Sequence, residues 1–99
     1  MHTLVVTMST DPARSEEVFR HLREDVTGWA KRQPGFVSGE WLLSDTQETG
    51  LGLVSFDSAE AASDAAVGPR SGGHDDQRAW NIDSVTVYGQ VASVILAEG

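Results

Sequence analysis

The sequence predicts an α+β fold with element order β-α-β-β-α-β: one four-stranded antiparallel sheet with both helices on the same face. Three observations lead there. Gln33 to Ser58, QPGFVSGEWLLSDTQETGLGLVSFDS, reads as two apolar strands joined by a polar turn. An amphipathic helical stripe precedes it and an alanine-rich helical stretch follows it. Runs rich in β-branched residues stand near both ends of the chain.

In chain order, His2 to Ser9 (HTLVVTMS) places Leu4, Val6 and Met8 on one face of a strand and Thr3, Val5 and Thr7 on the other. Asp11 then offers an N-cap, with Pro12 at the first helical position. Glu16 and Glu17 suit the positive end of the helix dipole, Lys31 and Arg32 the negative end. Between them Val18, Phe19, Leu22, Val26, Trp29 and Ala30 form one apolar stripe, while Glu16, Arg20 and Glu24 pair at i, i+4 on another face. Gln33-Pro34-Gly35 stops the helix.

The hairpin runs Phe36 to Ser44 and Leu51 to Phe56 around the polar connector Asp45 to Gly50. Asp57 followed by Glu60 resembles a capping box. The second helix it opens carries Ala59, Ala61, Ala62, Ala65, Ala66 and Val67, and Gly68-Pro69 is its expected end. Pro69 to Asp83 reads as irregular, with a flexible Arg70 to Gly73 loop and one or two helical turns between His74 and Trp80. Ser84 to Ala97 is predicted as a long strand, in which Gly89 marks a bulge or a close backbone approach.

The 99 residues fit a single domain, 1–99, with one core. The chain has no cysteine, so disulfides, thiolate nucleophiles and Cys-ligated metals are excluded. Its formal charge of −8 is unevenly spread: acids and bases balance up to Arg32, and beyond it only Arg70 and Arg78 oppose the acids. Such a surface repels phosphate backbones and anionic lipid, which argues against nucleic-acid and membrane partners. No signal pattern or membrane span is legible, and a cytoplasmic location is expected. His2, His21 and His74 have no mutual ligand spacing, so no metal site is expected.

Two helices cover one sheet face, and alternation places apolar residues on the other as well. In the second strand Phe36 and Leu42 are expected opposite Val37, Trp41 and Leu43; in the third, Leu51 and Leu53 opposite Val54 and Phe56. In the last, Val85, Val87, Val91 and Ile95 are set against Tyr88, Ala92, Val94 and Leu96. At ~25 cal/mol per Å², leaving such a face in water forfeits many kcal/mol of burial. A homodimer with its two sheets packed face to face is predicted. The structural alternative is a monomer whose C-terminal strand folds over its own sheet.

The Pro34-Gly35-Phe36 entry, Trp41 a few residues on, a polar turn and the phrase LVSFDSAEAA resemble the dimeric α/β-barrel superfamily. More narrowly they are similar to its antibiotic-biosynthesis-monooxygenase-like branch, whose subunits are ferredoxin-like. The local match runs from about Pro34 to Ala66. That branch includes oxygenases of aromatic polyketides and quinols that use neither metal nor flavin, heme-degrading enzymes, and members without an assigned reaction. The heme degraders carry an Asn on the first strand, a Trp in the second helix and a His soon after. Here HTLVVTMS lacks the Asn and SAEAASDAAV lacks the Trp, leaving only His74 in a comparable stretch.

The resemblance implies a cofactor-independent monooxygenase acting on an aromatic or polyketide-like small molecule. The alternative is a non-enzymatic small-molecule-binding or stress-associated dimer. Oxygenation without a cofactor needs an electron-rich substrate held near its anionic form in a dry pocket, with a base or hydrogen-bond donors. By residue type the candidates are His74 as base, Arg78 as anion stabiliser, Trp41, Trp80 and Tyr88 as stacking walls, and Asn81 to orient a carbonyl. Each has a plainer reading. His74 beside Asp75 and Asp76 suits a solvated loop, Arg78 a local ion pair, Trp80 a plug fastening the loop, and Trp29 and Trp41 the core or an interface.

Overall fold

The computed structural model describes residues 1–96. Ala97, the expected end of the last strand, lies outside the described residues. The sheet order is β2-β3-β1-β4, every neighbouring pair antiparallel, with β1 (His2–Thr10) flanked by β3 (Thr49–Phe56) and β4 (Trp80–Gly89), and β2 (Phe36–Leu43) on one edge. This is the predicted α+β, ferredoxin-like arrangement. Among the described residues no helix is long and apolar enough to cross a membrane.

The first helical layer begins where Asp11 predicts it. The Asp11 carboxylate accepts the Ala13 N–H at 2.9 Å and Pro12 opens a short 3-10 turn. The layer continues as α1 (Ser15–Arg20), a π-helical segment (His21–Val26) and α2 (Thr27–Lys31). Gly35 ends the exit turn at φ +81°, in the left-handed region, where a Cβ would sit 2.7 Å from both the Ala61 Cβ and an Asp57 carboxylate oxygen. No side chain fits there. The second helical element, α3 (Ala59–Ser71), is capped by Ser58, whose hydroxyl accepts the Ala61 N–H at 3.1 Å. Asp57 therefore stands one position outside the cap expected of it.

Both helical layers cover the same sheet face. Leu4, Val6, Val54 and Phe56 from the sheet pack with Ala30 and with Ala62, Ala65 and Ala66, all essentially inaccessible. The alanines let α3 lie close to the strands, as small side chains must. A second cluster, Met8, Val18, Leu22 and Ala79, closes the other end.

Further expectations change. Phe36 and Trp41 share a face, because the β2–β3 register shifts between Phe36 and Ser38: Phe36 opposes Phe56 and Trp41 opposes Gly52. That bulge inserts one residue, so Phe36 turns inward and meets Phe56 edge-on at 6.5 Å. Helix α3 does not stop at Gly68-Pro69 but runs to Ser71. Pro69 gives up the N–H bond that an α-helix would direct to the Ala65 carbonyl, a cost confined to the last turn. No helical turn forms between His74 and Trp80; instead Trp80 already begins β4. And β4 ends at Gly89, leaving residues 90–96 without regular structure and Val91, Val94, Ile95 and Leu96 87–99% exposed.

The uncovered sheet face is therefore mixed rather than wholly apolar. Thr3 and Ser55, and Thr7 and Ser84, pair through their hydroxyls across strands. Leu42, Leu51 and Tyr88 remain largely in solvent on that side.

Candidate functional site

Between the covered sheet face and the helices lies a cleft of about 440 Å³. Its floor is Val6, Met8, Trp41, Val54 and Ile82; its walls are Leu22, Val26 and Trp29 from the first helical layer and Gly68-Pro69 from α3. Trp80 closes one end. Among the described residues, His21 and Asp25 are the titratable side chains on this lining.

Glycine seats the floor. The Trp41 indole lies across Gly39 and Gly52: a Cβ on Gly39 would fall 2.6 Å from Cη2, and one on Gly52 3.1 Å from Cδ1 and Nε1. Side chains two apart on a strand share a face, so Trp41 reaches back over Gly39 while Gly52 opposes it on β3. Two vacant Cβ positions let the ring lie flat on the sheet and leave the space above it open.

His21 carries the polar chemistry. Its ring stacks on Trp80 with centroids 3.9 Å apart and planes 8° from parallel. Its Nδ1 lies 3.1 Å from the Asp25 carboxylate. An ionised carboxylate only accepts, so Nδ1 carries the proton in this pair and the neutral ring keeps its lone pair on Nε2. A histidine held by a carboxylate, with its other nitrogen basic, is the arrangement of a general base.

Of the six residues singled out in the sequence, Trp41 and Trp80 line the cleft. The other four lie elsewhere. His74 sits in the exposed loop with its Nε2 2.5 Å from an Asp76 carboxylate oxygen. Arg78 places its guanidinium 5.0 Å from the Trp80 ring centroid and donates to the Gly73 carbonyl and the Asn81 Oδ1. Asn81 is buried; its Oδ1 accepts the Asp75 N–H at 2.9 Å and its Nδ2 donates to the Asp75 carbonyl at 3.0 Å, which ties the loop to β4. Tyr88 is exposed on the uncovered sheet face.

Trp29, read as core, packs against the core and also lines the cleft. His21 and Asp25 were not among the predicted site residues. The signal for them is the row His21, Asp25, Trp29 at intervals of four, running beside the apolar row Val18, Leu22, Val26, Ala30.

No family model and no curated protein matches the chain in sequence. Solved structures match it closely in shape. The heme-degrader MhuD of Mycobacterium tuberculosis, with two hemes bound in its active site, superposes at a TM-score of 0.71 and 17% identity, over 95% of this chain and 99% of that one. The monooxygenase ActVA-Orf6 of Streptomyces coelicolor, solved with nanaomycin D, gives 0.65 and 18%, over 97% and 92% of the two chains. SnoaB of Streptomyces nogalater, a cofactor-independent oxygenase, gives 0.57 and 20%, over 98% and 97%. At these identities the likeness is one of fold. The chain shares the ferredoxin-like α+β fold of these proteins.

Proposed function

We propose that the protein is a cofactor-independent monooxygenase of an electron-rich aromatic small molecule, with the cleft as substrate site and His21 as base. The observation that carries this is the His21–Asp25 pair on an otherwise apolar, tryptophan-lined cleft. An acidic phenol or anthrone lies on the Trp41 indole and gives its proton to the Nε2 of His21, whose ring the Trp80 face holds in place. The resulting carbanion or phenolate supplies the electrons that reduce O₂. Carbon–oxygen bond formation gives a peroxide, and loss of water leaves the new carbonyl, so every electron comes from substrate and no metal or flavin enters the balance. The low polarity of the cleft keeps water from competing for the peroxide.

The test is aerobic turnover of an anthrone, followed as quinone formation with matched O₂ uptake. His21→Ala is expected to lower kcat at least a hundredfold, the usual range for losing a general base. His74→Ala is expected to leave it unchanged. Equal turnover by His21→Ala and wild type removes His21 from the chemistry. Stoichiometric ligand binding with no oxygen uptake assigns the protein to the non-enzymatic binders.

We further propose that the working form is a cytoplasmic homodimer. Leu42, Leu51 and Tyr88 stand exposed on the uncovered sheet face, and the segment 90–96 presents four large apolar side chains to solvent. Between face and segment lies an open hollow of about 820 Å³. A second copy of the sheet fills that hollow and covers both. Native mass spectrometry is expected to show twice the 10.6 kDa chain mass; a monomer at micromolar concentration refutes the dimer.

A further inference from the structure

The π-helical segment His21–Val26 lies between two α-helical pieces and contains both polar residues of the cleft. Its phase has a measurable consequence. At ~100° per residue, the twelve steps from Val18 to Ala30 overshoot whole turns by about 120° in a regular α-helix. Both residues nevertheless face the core, 1% and 0% exposed. A π turn absorbs one extra residue, and the remaining eleven α-helical steps overshoot by only about 20°. The same correction keeps the parallel row His21, Asp25, Trp29 in line, and all three line the cleft.

A π turn leaves a carbonyl without its α-helical partner. Here the Thr27 N–H bonds the Leu22 carbonyl, five residues back, and so leaves the Arg23 carbonyl that an α-helix would have assigned to it. The Thr27 hydroxyl donates to that Arg23 carbonyl at 2.5 Å. One residue thus supplies both bonds that define the register, by its backbone to Leu22 and by its side chain to Arg23. Thr27 itself does not line the cleft; with Phe19, Arg23 and Glu40 it lines an adjoining groove that shares Leu22 and Trp41 with the cleft.

We infer that Thr27 is a positioning residue for the site: its hydroxyl holds the π turn, and the π turn holds His21, Asp25 and Trp29 along the cleft. The inference rests on the reading of His21 as base. Its test separates the two by a readout that needs no substrate. In ¹⁵N-labelled protein the imidazole shifts of His21 report which ring nitrogen carries the proton.

Wild type and Thr27→Ser, which keeps the hydroxyl, are expected to hold the Nδ1–H tautomer and to turn over alike. Thr27→Val, which keeps the shape and loses the hydroxyl, is expected to show mixed tautomers and a kcat lower by about tenfold to a hundredfold at unchanged KM. Deleting the exposed Glu24 removes the extra residue, so a regular helix then keeps both rows in line, the seven steps from His21 to Trp29 falling about 20° short of two turns; in that background Thr27→Val is expected to leave tautomer and kcat as they are in the deletion alone. Wild-type tautomer and kcat in Thr27→Val overturn the inference, as does equal loss in Thr27→Ser, or an equal loss when Thr27→Val is made in the Glu24 deletion. Should Thr27→Val fail to fold, the same substitution in the Glu24 deletion decides: a folded double variant with the activity of the deletion supports the inference, and an unfolded one overturns it. If the tautomer shifts as expected but wild type oxidises no anthrone, the positioning role stands and the oxygenase reading falls.

Discussion

Gly39→Ala probes the floor of the cleft directly. The new Cβ would stand 2.6 Å from Cη2 and 3.0 Å from Cζ3 of Trp41. Carbon pairs settle near 3.5 Å or beyond, so the ring edge must lift by about 1 Å off the sheet. Overpacking of that size costs about 1–3 kcal/mol. The backbone at Gly39 is an ordinary strand, so alanine also restricts the unfolded chain and returns about 0.4–1 kcal/mol. The net expectation is a loss of about 1–2 kcal/mol, or roughly 5–15 °C in Tm for a domain of this size. Urea unfolding measures the loss. Trp41→Phe removes the six-membered ring that Gly39→Ala strikes, so the double variant is expected to lose less than the two single losses combined, by about 1 kcal/mol. Wild-type stability in Gly39→Ala, or strict additivity in the cycle, refutes the seating of Trp41 on glycine.

Gln47 takes φ +62° in the β2–β3 turn, where its carbonyl accepts the Thr10 hydroxyl at 2.7 Å. Gln47→Gly removes a left-handed penalty of about 1 kcal/mol and is expected to raise the urea midpoint slightly; a lowered midpoint contradicts the strain. Hydrogen bonding from Arg14 holds the exposed Glu17 carboxyl below its usual range. Its stabilising contribution is therefore present at neutral pH and lost as pH falls through the depressed value. Glu17→Gln is expected to melt slightly below wild type at pH 7 and together with it only once the pH has fallen below the depressed value of the Glu17 carboxyl; a constant gap at all pH values contradicts the pairing.

The layer order was legible because each element carries its own local chemistry. Asp11-Pro12 starts a helix, Pro34-Gly35 ends one, and a polar connector closing in Gly50 joins two strands. Register was not legible. The bulge at residues 36–38 follows from fitting Phe36 against Phe56 across the hairpin, and no side-chain pattern within β2 announces it. Alternation assigned Phe36 to the wrong face for that reason. Pro69 misled in the opposite sense, since proline weakens a helix but packing over the sheet can carry the chain past it. The missed base illustrates a third cause. His21 stands among charged residues on a helix, where a 3.6-residue period assigns it to solvent. Only the strict four-residue spacing of both rows points to the π turn that carries it to the cleft.

The position of β1 has a consequence for the order in which the chain matures. As the central strand it pairs on one side with β3 and on the other with β4, joining His2 to Gly89 and Thr10 to Trp80 across nearly the whole sequence. The hairpin β2–β3 can form early from neighbouring residues, but β1 keeps one row of backbone donors and acceptors open until β4 has been synthesised. During that interval Leu4, Val6 and Met8 lie along an unpaired edge, which is the kind of edge other chains add to. Arresting synthesis before Trp80 should therefore yield a chain that aggregates or recruits chaperones, whereas release after Gly89 closes the edge at once.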